Sequence, residues 1–255
     1  MECYEKAATG HQRQSSFWHA AKLLEKAGDA ARDAREFPAV EDYYNRSAEL
    51  YASQGRPATA AEALNRGART MEDVHQQAAV TMYSKALGWI EDSGKDALAG
   101  DIYRQAINYF VKTKNWDNAV AALLKFAVSL DNLQATSSQA KAYLGTIVVC
   151  LARGDVSQGW SIYQDALGID AFSRSDEAFA ADSLFEAYRT ASVEAIQGAV
   201  KGHRCFLNLE NQLARLAKGL PNGGGGEIDL KKMAEKLGVL GLVGGVAVDE
   251  EEDLT

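Results

Sequence analysis

Residues 48–68 read AELYASQGRPATAAEALNRGA. An apolar-periodic run stops at Gly55, Pro57 follows two residues later, and a second run begins at once. Glycine is the residue most easily placed in the left-handed turn that closes a helix. Proline at the first helical position loses nothing by lacking an N–H. The stretch therefore predicts helix, tight turn, helix. Its two outer alanines, Ala48 and Ala68, stand 20 residues apart, and the same setting recurs in both directions along the chain. Ala27, Ala48, Ala68, Ala86, Ala106 and Ala127 follow one another at gaps of 21, 20, 18, 20 and 21 residues. Tyr44, Leu64, Tyr83 and Tyr103 sit just ahead of four of them. A small residue opposite large ones once per helix lets neighbouring helices approach closely. Two helices per unit give a period near 40, in the range of tetratricopeptide-like helical-hairpin solenoids. The fold class is all-α, an antiparallel hairpin solenoid with a C-terminal helical bundle.

The rest of the chain supports helix. Prolines occur only at Pro38, Pro57 and Pro221. Leu98, Ile102, Ala106 and Tyr109 recur at three- and four-residue steps, as do Val120, Leu124, Ala127 and Leu130. This is one apolar stripe on each of two helices. Asp73 with Gln76, Thr136 with Gln139, and Asp155 with Gln158 have capping-box spacing, and Gly55, Gly94 and Gly154 stand where helices would end. After Leu130 the register loosens, with helical patterns over 140–151, 156–167, 176–190 and 204–218. The expected organisation is a solenoid over 1–134, a capping bundle over 135–218, and a Gly-rich linker with an acidic tail over 219–255. Pro221 to Gly226 reads as flexible linker, Ile228 to Leu237 as a short helix, and Gly238 to Val248 as weakly ordered.

Composition narrows function. Of the net charge of −8, five units come from Asp249, Glu250, Glu251, Glu252 and Asp253, so the rest of the chain is only mildly acidic. Basic residues such as Lys22, Lys26, Arg46, Arg66, Arg69, Lys85, Arg104, Lys112, Lys114 and Lys125 are interleaved with acids. That pattern argues against nucleic acid and reads as solvated helix faces, some of which could gather into a patch for an acidic helical partner. Cys3, Cys150 and Cys205 are far apart and read as reduced thiols. His11, His19, His75 and His203 show no metal-ligand spacing, and His203-Arg204-Cys205 is the nearest approach to a reactive cluster. The tetraglycine at 223–226 lacks the Lys-Ser or Lys-Thr of a phosphate loop. No enzyme, cofactor, metal or small-molecule substrate is expected. No run approaches the ~20 apolar residues of a membrane span, and the N-terminus MECYEKAATG has no secretory signal, so a cytoplasmic protein is expected. Leu254, next to last after five acids, has no folding role and suggests a short docking motif.

Several segments resemble the SNAP family (soluble NSF attachment proteins), and within it the gamma branch. They are Phe17-Trp18-His19-Ala20-Ala21-Lys22 with Glu25-Lys26-Ala27-Gly28, the stretch from Ala48 through Gly55-Arg56-Pro57 to Gly67-Ala68, and the Tyr83/Ala86 and Tyr103/Ala106 pairs. The ending Asp249–Thr255 resembles the family's acidic Asp-Leu-plus-one-residue terminus. The resemblance implies twisted sheets of helical hairpins capped by a bundle. It implies an adaptor that coats the four-helix SNARE complex, associates peripherally with endomembranes, and recruits and stimulates the hexameric ATPase NSF. Asp249, Glu250, Glu251, Glu252 and Asp253 would pair with basic grooves on NSF, and Leu254 would support its stimulation. The family carries about one more hairpin ahead of residue 3, including an apolar loop that touches membrane. Weaker attachment to vesicles is expected without it. The competing expectation is a tetratricopeptide-like scaffold of another multiprotein complex, for which Leu254 would be dispensable.

Overall fold

The computed structural model describes residues 1–94, 96–225 and 228–243, except for the side chains of residues 92, 93, 96–98 and 241–243. Every regular element among them is helical. The chain divides into two compact units, Met1–Gln134 and the residues from Ala135 onward.

The first unit holds α1 (Glu2–Arg13), α2 (Phe17–Asp33), α3 (Phe37–Ser53), α4 (Pro57–Met71), α5 (Gln76–Ser93), α6 (Asp96–Lys112) and α7 (Trp116–Asn132). Each packs on the next, as a solenoid requires. Pro57 opens α4 and Pro38 lies in the first turn of α3. The six periodic alanines fall one per helix from α2 to α7, and none is more than 1% exposed. Large partners fill the space between them: Tyr44, Leu64, Tyr83 and Tyr103 are all buried. Tyr44 shows how close the helices come. A Cβ added at Gly28 of α2 would meet its ring at 2.8 Å, and one added at Gly67 of α4 would meet its Cγ at 2.7 Å. Glycine is required at both positions because the ring occupies the space a side chain would need.

The loops repeat as regularly as the helices. Ser15, Arg35, Gly55, Gly94, Lys114 and Gln134 all take left-handed backbone angles, φ between 55° and 69°. After four of them the next N–H returns to the carbonyl five residues back: Ser16 to His11 at 2.8 Å, Glu36 to Ala31 at 2.9 Å, Arg56 to Tyr51 at 3.0 Å and Asn115 to Phe110 at 2.8 Å. This is the Schellman closure of a helix end. The α4–α5 loop departs from it and lies in the interval where the alanine gap shortens to 18 residues. Here the expected Asp73 cap is displaced. His75 caps α5, its ring nitrogen accepting from the Ala78 N–H at 3.2 Å.

The second unit is built around α8 (Thr136–Ala152), which is buried on nearly every side from Gln139 to Ala152. Around it lie α9 (Val156–Leu167), the short α10 (Asp170–Ser173), α11 (Asp176–Arg189), α12 (Val193–Gly202), a 3₁₀ turn at Arg204–Asn208, α13 (Asn211–Lys218) and α14 (Leu230–Val243). A helix apolar all round has to sit at the centre of a bundle, and α8 does. Aromatic rings fill the rest. Trp160 meets Phe185 edge-on at 5.1 Å, Tyr163 lies 5.3 Å from Phe185, and Tyr143 meets Phe172 at 5.6 Å. Asp155 caps α9 as its spacing predicts, accepting from the Gln158 N–H at 3.0 Å. Thr136 is already helical, with Ala135 in the cap position and no side-chain hydrogen bond there.

Four expectations change in this unit. Residues 204–218 are not one helix, because Leu209 and Glu210 are extended and part the 3₁₀ turn from α13. Helix α12 goes unmarked by strong periodicity, although Ser192 caps it by accepting from Ala195 N–H at 3.2 Å. The stretch read as flexible linker is instead packed: Leu220, Pro221 and Gly224 are buried, and the 222–224 turn lies against α8. Small residues fit here because a Cβ on Gly224 would clash with the Ala152 carbonyl. Beyond it, α14 carries the helix expected over 228–237 on to Val243, so residues 238–243, read as weakly ordered, are helical, while 244–248 lie outside the described residues. Met233 and Leu237 are buried as α14 packs against α9 and α11.

Candidate interaction surfaces

One set of polar contacts in the first unit runs between helices two apart in the chain. Glu5 of α1 accepts from Arg46 (2.8 Å) and Tyr43 (3.0 Å) of α3. Arg46 and then Tyr43, as hydrogen-bond donors, hold its carboxyl below the usual range. Glu25 of α2 takes Arg66 of α4 at 2.6 Å, Asn45 of α3 takes Lys85 of α5 at 3.1 Å, and Asn65 of α4 reaches Gln105 of α6 at 3.0 Å. Lys125 of α7 closes on Glu91 of α5 at 2.7 Å. Four of these contacts span 40 or 41 residues, one repeat. Exposed pairs of this kind contribute about 0–1 kcal/mol each, so their main effect is to set repeat register.

This ladder changes the reading of the basic residues. Arg46, Arg66, Lys85 and Lys125 are engaged in it, Lys22 lies 3.6 Å from Glu25, Arg104 lies 2.9 Å from Asp101 and Lys112 lies 3.8 Å from Asp73. Much of the positive charge is thus offset within the unit. Lys26, Arg69 and Lys114 make no ion pair among the described residues.

Two shallow grooves repeat along α3, α5 and α7. The first, about 310 Å³, is lined by Asn45, Ala48 and Glu49 with Leu64 and by Lys85, Gly88 and Trp89. The second, about 260 Å³, is lined by Ile90 and Glu91, by Tyr103, and by Lys125, Val128 and Ser129. Residues 45, 85 and 125 hold one register position, and 48, 88 and 128 the next. No single residue marks these grooves in the sequence; only the 40-residue period does.

At the α2 end of the unit, Trp18 is 39% exposed and packs edge-on against Tyr51 at 5.1 Å. The Lys22 ammonium and the Arg56 guanidinium lie 5.4 and 5.0 Å from its ring centroid. Beneath them Glu25 accepts from Tyr51 at 2.7 Å as well as from Arg66. Burial first, then that hydrogen bond, pushes the Tyr51 phenol up, so it remains a donor. Phe17-Trp18 and Arg56 were visible in the sequence, but their meeting was not.

The reactive-cluster candidate resolves into structural contacts. His203 Nε2 lies 2.9 Å from Ser183 Oγ. Cys205 is buried, its thiol pushed up to about 11 mainly by burial; burial likewise takes Cys150 to about 12. Thiols held protonated are poor nucleophiles and poor metal ligands. Among the described residues no group of three or more His, Cys, Asp or Glu is placed to hold a metal, and no helix is long and apolar enough to cross a membrane. The tail residues Asp249, Glu250, Glu251, Glu252, Asp253 and Leu254 lie outside the described residues.

Residues 1–216 match the family described as soluble NSF attachment protein, SNAP. The chain belongs to the SNAP family. Two relatives place it more finely. A gamma-soluble NSF attachment protein of Arabidopsis thaliana is 36% identical over 219 residues, covering 86% of this chain and 75% of the relative. One of Dictyostelium discoideum is 25% identical over 218 residues, covering 86% of this chain and 67% of the relative. The SNAP match takes in the whole hairpin solenoid together with α8 to α12 and most of α13, ending two residues short of α13's last residue, Lys218. The fold read from the alanine period is the fold this SNAP-family chain has.

Proposed function

We propose that this chain is an adaptor that binds the SNARE complex and recruits and stimulates the ATPase NSF, so that SNARE disassembly can proceed in vesicle trafficking. The observation that carries the reading is the SNAP-family match over residues 1–216, on a chain whose helical-hairpin solenoid runs through α7. The solenoid presents an extended, regularly spaced surface suited to a rod-like helical partner. The adaptor does no chemistry of its own; binding and transmission of force are its work. Its contact with NSF lies at the tail, where Asp249, Glu250, Glu251, Glu252 and Asp253 pair with basic grooves of the ATPase and Leu254 fills an apolar pocket. Its attachment to endomembranes is peripheral. Immobilised SNARE complex washed with NSF tests the reading. NSF retained only when the chain is present supports it. Passage of both NSF and the chain would place the protein among tetratricopeptide-like scaffolds of other assemblies.

A further inference from the structure

Helix α14 buries Met233 and Leu237 where it packs on α9 and α11. Its solvent side carries Lys231, Lys232 and Lys236, all exposed, and then Val239, 64% exposed. Residues 232, 236 and 239 stand four and three apart and form one stripe. A single exposed acid, Glu235, shares the solvent side. Asp229 is spent on the helix start, where it accepts from the Lys232 N–H at 3.1 Å. The charge of Lys236 is felt at Asp155, the cap of α9. Lys231 and Lys232 make no side-chain ion pair or hydrogen bond among the described residues. The chain after Val243 reads Gly244-Gly245-Val246-Ala247-Val248 and then the five acids Asp249 to Asp253. Going outward it is glycine, apolar, acidic. Going back along α14 the stripe is apolar, then basic, so the two orders mirror each other.

We infer that the acidic tail folds back along α14 and docks on its lysines, so that the chain covers its own tail. The spacings agree. At 1.5 Å per helical residue, Val239, Lys236 and Lys232 lie about 6, 11 and 17 Å back from Val243. If Gly244-Gly245 makes the reversal, an extended strand from Val246 brings Val248, Asp249 and Glu251 back by about 7, 10 and 17 Å. Val248 then covers Val239, and the acids meet Lys236, Lys232 and Lys231. The short tether holds the acids at an effective concentration on the order of millimolar, ahead of most free acidic ligands. That docked acids are withheld from NSF until its basic grooves displace the lysines rests on the adaptor reading. The docking itself does not, and it is measured without NSF.

The test follows the backbone amide resonances of residues 246–253 in the isotopically labelled full chain, beside those of a free peptide of residues 244–255. In the parent at low salt they should sit away from the free-peptide positions, whatever the protein concentration. Lys231→Glu with Lys232→Glu should move them most of the way to those positions. The melting temperature should not fall, because both side chains are exposed and acids are favoured in the first turn of a helix. Salt at about 1 M, where the screening length is about 3 Å, should release the parent tail in the same way. Adding Glu250→Lys and Glu251→Lys to the lysine variant should restore the displaced positions. Parent resonances that coincide with the free peptide, or that the lysine variant leaves unmoved, would overturn the proposal. Displacement that fades on dilution would overturn it too, because the tail would then be docking on a second copy.

Discussion

The two units of this chain solve the same packing problem in different ways. In the first, stabilisation is spread evenly: one register alanine in each helix from α2 to α7, a left-handed residue in every helix–helix loop but α4–α5, and polar contacts between helices two apart. In the second it is concentrated, with α8 buried along most of its length and the rings of Tyr143, Trp160, Tyr163, Phe172 and Phe185 shared among several helices. A repeat array approximates a sum of neighbour terms, whereas a single core stands or falls together. The first design suits a long binding surface, and the second suits a compact core.

This contrast is open to test, and the largest effect is expected in the second unit. Phe185 is fully buried and meets Trp160 and Tyr163, so Phe185→Ala should cost about 3–5 kcal/mol. Hydrogen exchange should rise across α8, α9 and α11 together; a rise confined to α11 would break the contrast. In the first unit, Glu25→Ala removes the acceptor of both Tyr51 and Arg66 and should cost about 2 kcal/mol. Its exchange signature should centre on α2, α3 and α4 and leave α6 and α7 protected. Tyr188 gives an intermediate and opposite change. Its hydroxyl is buried without a partner among the described residues, so Tyr188→Phe should stabilise the second unit by about 1 kcal/mol in a denaturant titration. The smallest effects belong to the loops. Arg35 and Lys114 hold left-handed angles of 61° and 58° without being glycine, and glycine at either should gain about 0.5 kcal/mol. The same substitution at an α-helical residue, Lys26→Gly, should lose a comparable amount.

Legibility in the sequence follows the same division. The solenoid was readable because its energetics repeat: each alanine is weak evidence alone, and six in register are strong. Gly55, Gly94 and Gly154 announced left-handed helix ends, and all three adopt them. Ser15, Arg35, Lys114 and Gln134 do the same job unannounced, because the helix-end hydrogen bonds and flanking packing outweigh the cost of a Cβ there. The α4–α5 cap was misplaced since Asp73 and His75 both offer an acceptor, and the shorter repeat decided between them. The second unit was harder. Its rings are distant in sequence, and the glycines near 223 read as linker, although at Gly224 the Ala152 carbonyl leaves room for nothing larger. The Trp18–Arg56 contact joins residues 38 positions apart, which no local pattern encodes.

The adaptor reading is tested most directly by NSF's own turnover. ATP hydrolysis by NSF on preassembled SNARE complex should rise when the chain is added and fall back with Leu254→Ala, while the altered chain still binds the SNARE complex. An unchanged hydrolysis rate on adding the parent chain, under conditions where a control adaptor stimulates it, would contradict the account.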